Sequence, residues 1–449
     1  MRISVLYSML CLALLIRPPA VYGQHDIVQW EISAPFPAAQ LDVETLEYPN
    51  FFSLFMTQWQ KVTAESGGLV DISTLVPDRN PDPVAIIGRA TIFSEREQAA
   101  VISFGYSGEI ALFANKRKVF QGTGEVEDLS RPAYSPGAQV ERIELTLDSG
   151  MTELLVVLKS SSDTWMFHLQ SDLIFSDIPR DHDRLVPVWE TAPVFRIPES
   201  VLYDPDRELL YVSSYDRTQA SRAGMGFLSR LSLEGEVIDL DWVEGLDGPC
   251  GMGLHDGRLY VVECVGNLVE IDTENGTVLN RYPVPDARFL NDLVIDDDGS
   301  IYLSDTSPPL GYTSLIYRFR DGRFEVWIDG MDIHRANGLF IHDGSLLVGS
   351  SGDCLFKSVD LETREITDIV ALGGRVIDGI RVDREGNYLV TLWEGEAVLI
   401  SPDGYPVEIL STRGTGRNLA DAEFIKDLDL LIVPTFMGNT VVAWRLLPL

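Results

Sequence analysis

Six short segments in the second half of the chain begin with a side chain that could take part in chemistry. The segments start 41 to 51 residues apart, and each continues as a short apolar strand pattern. Their first residues are Glu199, Cys250, Asn291, Asn337, Asp378 and Asp421. Carboxylates and side-chain amides offer oxygen ligands, and a hard cation such as Ca²⁺ prefers six to eight of these. If the fold brings the six positions together, they predict an oxygen-rich metal site.

The repeat that carries these residues is typical of a β-propeller. A period in the low forties corresponds to one blade of four antiparallel strands. Turn dipeptides such as Asp256-Gly257 and Asp298-Gly299 separate the strand patterns and tolerate the positive φ angles of tight hairpins. In such a blade the first residue of the inner strand borders the central tunnel. We therefore predict an all-β chain with a six-bladed β-propeller over residues 185–449, in which the six positions converge on the axis.

The last repeat is incomplete, because the chain ends at Leu449 soon after the strand pattern Thr440–Leu446. The segment Leu185–Thr191, just before the first repeat, is suited to supply the missing outer strand. This splice would join the two ends of the propeller and remove an exposed sheet edge.

The residue types at the six positions favour calcium over zinc. Zn²⁺ prefers His and Cys in a tetrahedral arrangement, whereas the six positions contain one Cys and no His. Oxygen ligands also suit Mg²⁺ and Mn²⁺, and a mixed site suits Zn²⁺. We expect Ca²⁺, with these three ions as alternatives.

The propeller sequence resembles the senescence-marker-protein/gluconolactonase family, which includes regucalcin-like lactonases, and is more distantly similar to paraoxonases and diisopropyl-fluorophosphatase. The resemblance is carried by Glu199, by the Asn291-Asp292 pair in LNDLVIDDDGSIYLSDT (290–306), by Asn337 in Ala-Asn-Gly and by Asp378 in IDGIRVDREGNYLV. In that family a Glu, one or two Asn and an Asp hold the metal, which implies the ligands Glu199, Asn291, Asn337 and Asp378. Two departures are a Ser-Val step after the Glu, where the family usually has Gly-Pro, and the lack of an assigned substrate-binding Arg.

The resemblance implies hydrolysis of a lactone or related ester, in which the metal polarises the carbonyl and stabilises the oxyanion formed by water attack. Asp378 would be the base, or a metal-bound carboxylate beside the attacking water. His334, in the loop before the fourth repeat, could move protons. Asp305 and Thr306 end a strand near the same face and could contact the substrate.

Each of these roles has a structural alternative. Asp378 and the following glycine could form only a tight backbone step. His334 could be a solvated loop residue, and Asp421 could cap free backbone N–H groups. Two other functions compete with hydrolysis: a non-catalytic propeller that binds protein or glycan with the metal as a structural pin, and non-hydrolytic chemistry of the strictosidine-synthase-like kind.

Residues 24–176 contain β-rich runs without helical periodicity, which predicts an antiparallel β-sandwich ahead of the propeller. The stretch Ala114–Phe120 (ANKRKVF) resembles galactose-binding-like jelly-roll modules, in which a strand pair displays an Asn before a basic and then an aromatic residue. The resemblance implies a jelly-roll that could hold carbohydrate; alternatively the domain covers a face of the propeller. The charged residues 177–184 predict a linker.

Residues 1–23 predict a signal peptide. Arg2 precedes the apolar run Val5–Ile16, which is too short to span a bilayer, and small or apolar residues occupy the cleavage positions. A membrane anchor is the alternative. We expect a secreted or periplasmic protein with a small-molecule substrate and no membrane span.

Charge and cysteine content restrict the function further. A formal net charge of −33 leaves no basic surface to neutralise phosphates, which excludes nucleic acid as a partner. After the predicted leader, three cysteines remain, and their spacing matches no metal motif. Cys250 and Cys264 are close enough in sequence for one hairpin disulfide, and two buried thiols are the alternative.

Overall fold

The computed structural model describes residues 25–38, 41–49, 54, 57–76, 84–124, 140–160, 165–215, 224–306, 314–330 and 332–448. The predicted signal peptide lies outside these residues. Regular structure in the described part is almost entirely β-strand, with a four-residue helix, Ile72–Leu75, and 3-10 turns at His182–Arg184 and Lys426–Leu428. None of the helices among these residues has the length and apolar character that crossing a bilayer requires.

The N-terminal strands form two antiparallel sheets. The first contains β1 (His25–Asp26), β5 (Leu69–Asp71), β7 (Gln98–Tyr106), β10 (Glu141–Leu147) and β12 (Met166–Ser171). The second contains β2 (Gln29–Ser33), β3 (Phe36–Pro37), β4 (Trp59–Thr63), β6 (Val84–Ser94), β8 (Gly108–Ala114), β9 (Arg117–Gly124) and β11 (Gly150–Lys159).

One apolar core lies between these two sheets. Phe104 of β7 and Phe167 of β12 enter it from the first sheet, and Ile86 of β6 and Val156 of β11 enter it from the second; all four are fully buried. Alternate residues of each strand face this core, as the period of two in a half-buried strand requires. The arrangement agrees with the predicted β-sandwich, and we call residues 24–176 the sandwich. Its galactose-binding-like character stays a prediction.

The remaining strands form six antiparallel sheets of four strands, which are the blades of a propeller. Blade 1 contains β14 (Pro198–Asp204), β15 (Leu209–Ser214), β16 (Gly226–Ser232) and β17 (Val237–Leu246). Blade 2 contains β18 (Pro249–His255), β19 (Arg258–Glu263), β20 (Asn267–Asp272) and β21 (Val278–Pro283). Blade 3 contains β22 (Leu290–Ile295), β23 (Ile301–Asp305), β24 (Ser314–Arg320) and β25 (Arg323–Gly330). Blade 4 contains β26 (Ala336–His342), β27 (Ser345–Ser350), β28 (Leu355–Asp360) and β29 (Ile366–Leu372). Blade 5 contains β30 (Ile377–Val382), β31 (Tyr388–Leu392), β32 (Glu396–Ile400) and β33 (Pro406–Ser411). Blade 6 contains β34 (Glu423–Ile425), β35 (Leu430–Thr435), β36 (Thr440–Leu446) and β13 (Leu185–Glu190).

The ring of blades is closed by its two ends. β13 pairs with β36 in antiparallel register, so the segment before the first blade supplies the outer strand of the last blade, as expected from the sequence. Each inner strand contacts the inner strand of the next blade. A separate cluster of buried apolar side chains fills the space between every pair of neighbouring blades. Burial between blades is therefore the main favourable contribution to assembly of the ring.

The sandwich is joined to blades 4 and 5. β11 pairs in parallel with β29, with Gly150 opposite Ala371 and Met151 opposite Leu372, so strands of the two domains form one continuous sheet. Gly150 has a φ of 107°, and a Cβ there would overlap the carbonyl oxygen of Ala371, which explains the glycine. Phe93 and Met151 of the sandwich also enter the apolar cluster between blades 4 and 5.

The segment between the two domains is packed against the propeller. Glu408 of β33 accepts hydrogen bonds from Arg180 at 3.3 Å and pairs with His182 at 2.8 Å. The backbone N–H of Asp181 donates to the Glu408 carbonyl at 2.9 Å. The predicted linker thus follows the outer strand of blade 5.

Candidate metal centre

The six positions identified in the sequence occupy equivalent places in the ring. Register shifts interrupt the pairing of the first two strands of a blade between Pro198 and Ser200, Pro249 and Met252, Leu290 and Leu293, Ala336 and Leu339, and Ile377 and Ile380. Such an irregularity takes residues out of the ladder and redirects their side chains. Five of the six positions, Glu199, Cys250, Asn291, Asn337 and Asp378, fall within these shifts; we call all six the ring positions.

Three of the six ring positions are followed by a glycine, because the neighbouring inner strand lies against the residue there. A Cβ at Gly251 would overlap the side chain of Asp292 in the next blade. A Cβ at Gly338 would overlap the carbonyl oxygen of Asp378, and one at Gly379 would overlap the backbone N–H of Ala422. Close contact between successive inner strands brings the ring positions of different blades together.

Three of the four predicted metal ligands converge. The Asn337 side chain donates a hydrogen bond to the Asp378 carboxylate, and the carboxyl of Glu199 lies close enough to Asp378 for the two charges to interact strongly. Glu199, Asn337 and Asp378 are 7%, 4% and 3% exposed. Asn291 has the equivalent register in blade 3 but is half-buried.

The carboxyl groups around the axis destabilise one another's charged form. Burial raises the pKa of Glu199 well above its ordinary value, and the neighbouring Asp378 and Asp421 raise it further. Burial likewise raises the pKa of Asp378, with added contributions from Asp421 and Asp292. Removal from water and repulsion between like charges both disfavour ionisation. A positive charge at the axis would offset both effects.

Buried oxygen atoms without partners supply a test of whether a cation fits. Glu199 Oε2 and Asn337 Oδ1 are buried and accept no hydrogen bond among the described residues. Buried polar atoms in proteins are normally satisfied, and these two oxygens have the chemistry that Ca²⁺ prefers. In the described part of the chain, no three His, Cys, Asp or Glu side chains are grouped to hold a metal by themselves. The site therefore depends on the amide of Asn337 as well as on carboxylates.

The sequence prediction assigns no role to a second layer of charged residues beside the ring positions. Asp292 replaces the small residue that follows most ring positions, and its carboxylate accepts backbone hydrogen bonds from Leu293 and Leu339, both at 2.7 Å. Arg381 lies 3.5 Å from Asp421 and 3.3 Å from Glu423. Asp292 was recognisable as an acid where the other blades have Gly, Ser or Ala. Arg381 repeats in no other blade, so nothing in the pattern marked it.

Cys250 occupies the ring position of blade 2 as a thiol. Cys250 and Cys264 are free and buried, which decides between the two alternatives left by the sequence. Burial raises the pKa of the Cys250 thiol, and its hydrogen bond with Cys264 raises it further, so the group stays protonated at neutral pH.

Asp305 and Thr306 support loops beside the site. Asp305 is fully buried, and its carboxylate accepts hydrogen bonds from the backbone N–H groups of Arg288 and Phe289 at 3.0 Å. The Thr306 hydroxyl donates to the carbonyl of Ala336 at 2.7 Å. These hydrogen bonds hold the segments that lead into Asn291 and Asn337, and contact of the two side chains with substrate stays a prediction.

His334 lies on the wall of a cleft between the sandwich and blade 4. The cleft has a volume of about 1230 Å³ and is also lined by Lys116, Arg117 and Gly352. The backbone N–H of His334 donates to Ser350 Oγ at 2.9 Å, and its carbonyl accepts from the Gly352 N–H at 2.6 Å. His334 thus lines the cleft close in sequence to Asn337, and its role in proton transfer stays a prediction.

Comparison with known proteins identifies the propeller. Residues 197–418 match the family model described as SMP-30/gluconolactonase/LRE-like region. No curated protein is significantly similar to the chain.

The similar solved structures share little sequence identity with this chain. A luciferin-regenerating enzyme is 15% identical, with a TM-score of 0.43 over 56% of this chain and 92% of that one. Regucalcin, a calcium-binding protein from Agrobacterium tumefaciens, is 16% identical, with a TM-score of 0.42 over 56% and 91%. A catalytically inactive virginiamycin B lyase from Staphylococcus aureus with quinupristin is 11% identical, with a TM-score of 0.42 over 56% and 95%. The matched residues contain all four predicted metal ligands, and the match identifies the propeller as an SMP-30/gluconolactonase/LRE-like region.

Proposed function

We propose that the chain is a metal-dependent hydrolase of a lactone or related ester, with Ca²⁺ held by Glu199, Asn291, Asn337 and Asp378. One observation carries the proposal: the unpartnered buried oxygens of Glu199 and Asn337 lie beside the carboxyl of Asp378, a donor set that lacks only a positive charge. The match of residues 197–418 to the SMP-30/gluconolactonase/LRE-like model supports the reaction class. The alternatives Mg²⁺, Mn²⁺ and Zn²⁺ are distinguished by titration.

In the proposed hydrolysis, Asp378, Asn337 and His334 would each have a separate role. A bound divalent ion would supply Lewis acidity to the substrate carbonyl and to the oxyanion formed from it. Asp378 would accept a proton from the attacking water at its carboxylate. Asn337 orients this carboxylate through its hydrogen bond. His334, on the wall of the cleft, would exchange the proton with solvent.

We also propose that the protein acts outside the cytoplasm, since residues 1–23 have the pattern of a signal peptide. Three reduced, buried cysteines impose no requirement for disulfide formation on that location. Labelled fusions compared with and without residues 1–23 would test the export.

The hydrolase is tested on a panel of γ- and δ-lactones with Ca²⁺ present or removed by a chelator. We expect hydrolysis to require the ion, and Asp378→Asn to lower kcat/KM by about 10²–10⁴-fold, the range for loss of an acid–base group. Asp297→Asn, which changes an exposed carboxylate on a hairpin turn, is the matched control and should keep full activity.

Two negative outcomes separate the alternatives. Ca²⁺ binding without turnover of any lactone would favour the non-catalytic propeller with a structural pin. An absence of saturable divalent-ion binding would contradict the proposal that the ring positions form a metal centre.

A further inference from the structure

One lysine of the sandwich is held in an unfavourable backbone conformation at the boundary with the propeller. Asn115 and Lys116 form the two-residue turn between β8 and β9, with φ angles of 43° and 67°. Turns with positive φ at both positions favour Asn-Gly, and the left-handed region is unfavourable for a residue that has a side chain. A lysine at the second position therefore needs contacts that offset this cost.

The turn is fixed to the rest of the sandwich, so that Lys116 points at the propeller. The backbone N–H of Asn115 donates to the Glu153 carbonyl at 3.0 Å, and Asn115 Oδ1 accepts from the Glu153 N–H at 2.9 Å. Glu153 belongs to β11, the strand that pairs with blade 4. From this base, Lys116 Nζ donates to the carbonyl of Ser351 at 2.6 Å and lies 3.5 Å from the carbonyl of Arg375.

Ser351 connects the segments that precede two of the proposed metal ligands. Its backbone N–H donates to the carbonyl of Arg335 at 3.2 Å, two residues before Asn337. Its hydroxyl accepts a hydrogen bond from the N–H of Ile377 at 3.2 Å, directly before Asp378. The residue is 4% exposed, so these bonds are shielded from water. Its carbonyl is the group that Lys116 holds.

We propose that Lys116 is a positioning residue of the metal centre: by holding Ser351 it keeps Asn337 and Asp378 at the spacing that one cation requires, so the sandwich completes the site of the propeller. This inference rests on the proposed metal centre. Partners that orient metal ligands from outside the coordination sphere typically change affinity by about 10–100-fold.

The direction in which cation affinity changes when Lys116 is replaced distinguishes a positioning role from a purely electrostatic one. Lys116 stabilises the charged form of Glu394, whose carboxylate in turn acts on Asp378. Removing the ammonium makes the surroundings of the site more negative, so an electrostatic effect alone would tighten cation binding. Loss of positioning would weaken it.

The test measures the Ca²⁺ affinity of the full chain by titration calorimetry for the wild type, Lys116→Met and Lys116→Gly. We expect both variants to bind about tenfold more weakly. We expect Lys116→Arg, which keeps a charged donor, to recover most of the affinity. Lys116→Gly relieves the backbone strain of the turn, so a fall in its affinity would not come from failure to fold. The free energy of unfolding without Ca²⁺, measured in urea, checks this.

Lys118→Met is the matched control. Lys118 lies two residues further along the same hairpin, and Lys118 Nζ donates to the carbonyls of Val43 and Glu44 and to the Gln121 side chain, all within the sandwich. Its Ca²⁺ affinity should equal that of the wild type. Equal or tighter binding by Lys116→Met and Lys116→Gly would overturn the positioning role alone. A wild-type chain that binds no divalent ion would overturn the metal centre, and this inference with it.

Discussion

The molecule contains two clusters of buried charge that differ in how the charge is balanced. At the axis of the propeller, the carboxyl groups of Glu199, Asp292, Asp378 and Asp421 gather with Arg381 as the nearest cation of the second layer. Between the sandwich and blade 5, Glu31 and Glu396 are surrounded by Arg89, Arg375 and Arg413.

The cluster at the domain boundary is complete without any added ion. Arg375 makes a bidentate pair with Glu396, with nitrogen–oxygen distances of 2.9 Å and 3.1 Å, and each side chain is 3% exposed. Arg413 bridges Glu396 at 3.2 Å and Glu31 at 3.4 Å, thereby linking the propeller to the sandwich. Burial alone would raise the pKa of Glu396, but Arg375 and Arg413 outweigh it and hold the pKa far below its ordinary value.

The two clusters show opposite pKa shifts for buried carboxyls of the same chain. Burial is common to both, so the difference is the supply of positive charge. The boundary cluster obtains that charge from arginines and serves the docking of the domains. The axial cluster keeps unpartnered oxygens and raised pKa values, which indicates a site that gains from binding a cation.

The largest expected change is a loss of stability when Arg375 is removed from the cluster at the domain boundary. Arg375→Met leaves Glu396 buried without its bidentate partner, and removal of one member of a buried pair costs about 3–5 kcal/mol. Urea unfolding at neutral pH should show this loss. Arg445→Met, at an exposed position, should stay within about 0.5 kcal/mol of the wild type. Equal stabilities for the two variants would contradict the account of the boundary.

Binding of Ca²⁺ to the axial cluster should raise the free energy of unfolding, by somewhat less than Arg375→Met lowers it. Ca²⁺ at about 100 times its Kd should raise the free energy of unfolding by about 2.7 kcal/mol, because it binds only the folded chain. Asp378→Asn removes a proposed ligand, so the ion should no longer raise its thermal midpoint. The same variant without Ca²⁺ should not be less stable than the wild type, since it loses a buried repulsion. A midpoint that Ca²⁺ raises equally in both proteins would place the ion elsewhere.

The smallest expected effect is a pH dependence carried by the boundary cluster. The folded-state pKa of Glu396 lies below its unfolded value of about 4.5, so its contribution is present above that pH and is lost as the pH falls. One proton changes the free energy of unfolding by about 1.4 kcal/mol per pH unit in this window. Glu396→Gln should therefore show a shallower decline below pH 4.5 than the wild type. Parallel curves would mean that Glu396 is not held in its charged form.

Much of the propeller could be predicted because its determinants are local and repeated. Turn dipeptides such as Asp298-Gly299 recur in several blades and end the apolar strands at similar intervals, so the period marks the blades. The ring positions follow from the same period, and the register shifts around Glu199, Asn337 and Asp378 confirm that they are equivalent.

The supporting roles were less predictable because they depend on contacts outside the repeat. Asp305 follows a strand at the correct face, but whether its carboxylate meets substrate or backbone N–H groups depends on the loop of Arg288 and Phe289. Asp292 and Arg381 each break the pattern of their blade, and their importance is visible only when Asp421 and Glu423 are placed beside them.

By itself, the sequence determined the all-β class, the number of blades, the splice between β13 and β36, and the polar residues of the ring, since strand alternation and turn chemistry act over a few residues and recur. Only the tertiary structure decided the contact between Asn337 and Asp378, the thiol state of Cys250, and the position of Lys116 against Ser351. These contacts join residues of different blades or different domains. Their geometry is set by how the blades and the sandwich pack, and no local pattern encodes it.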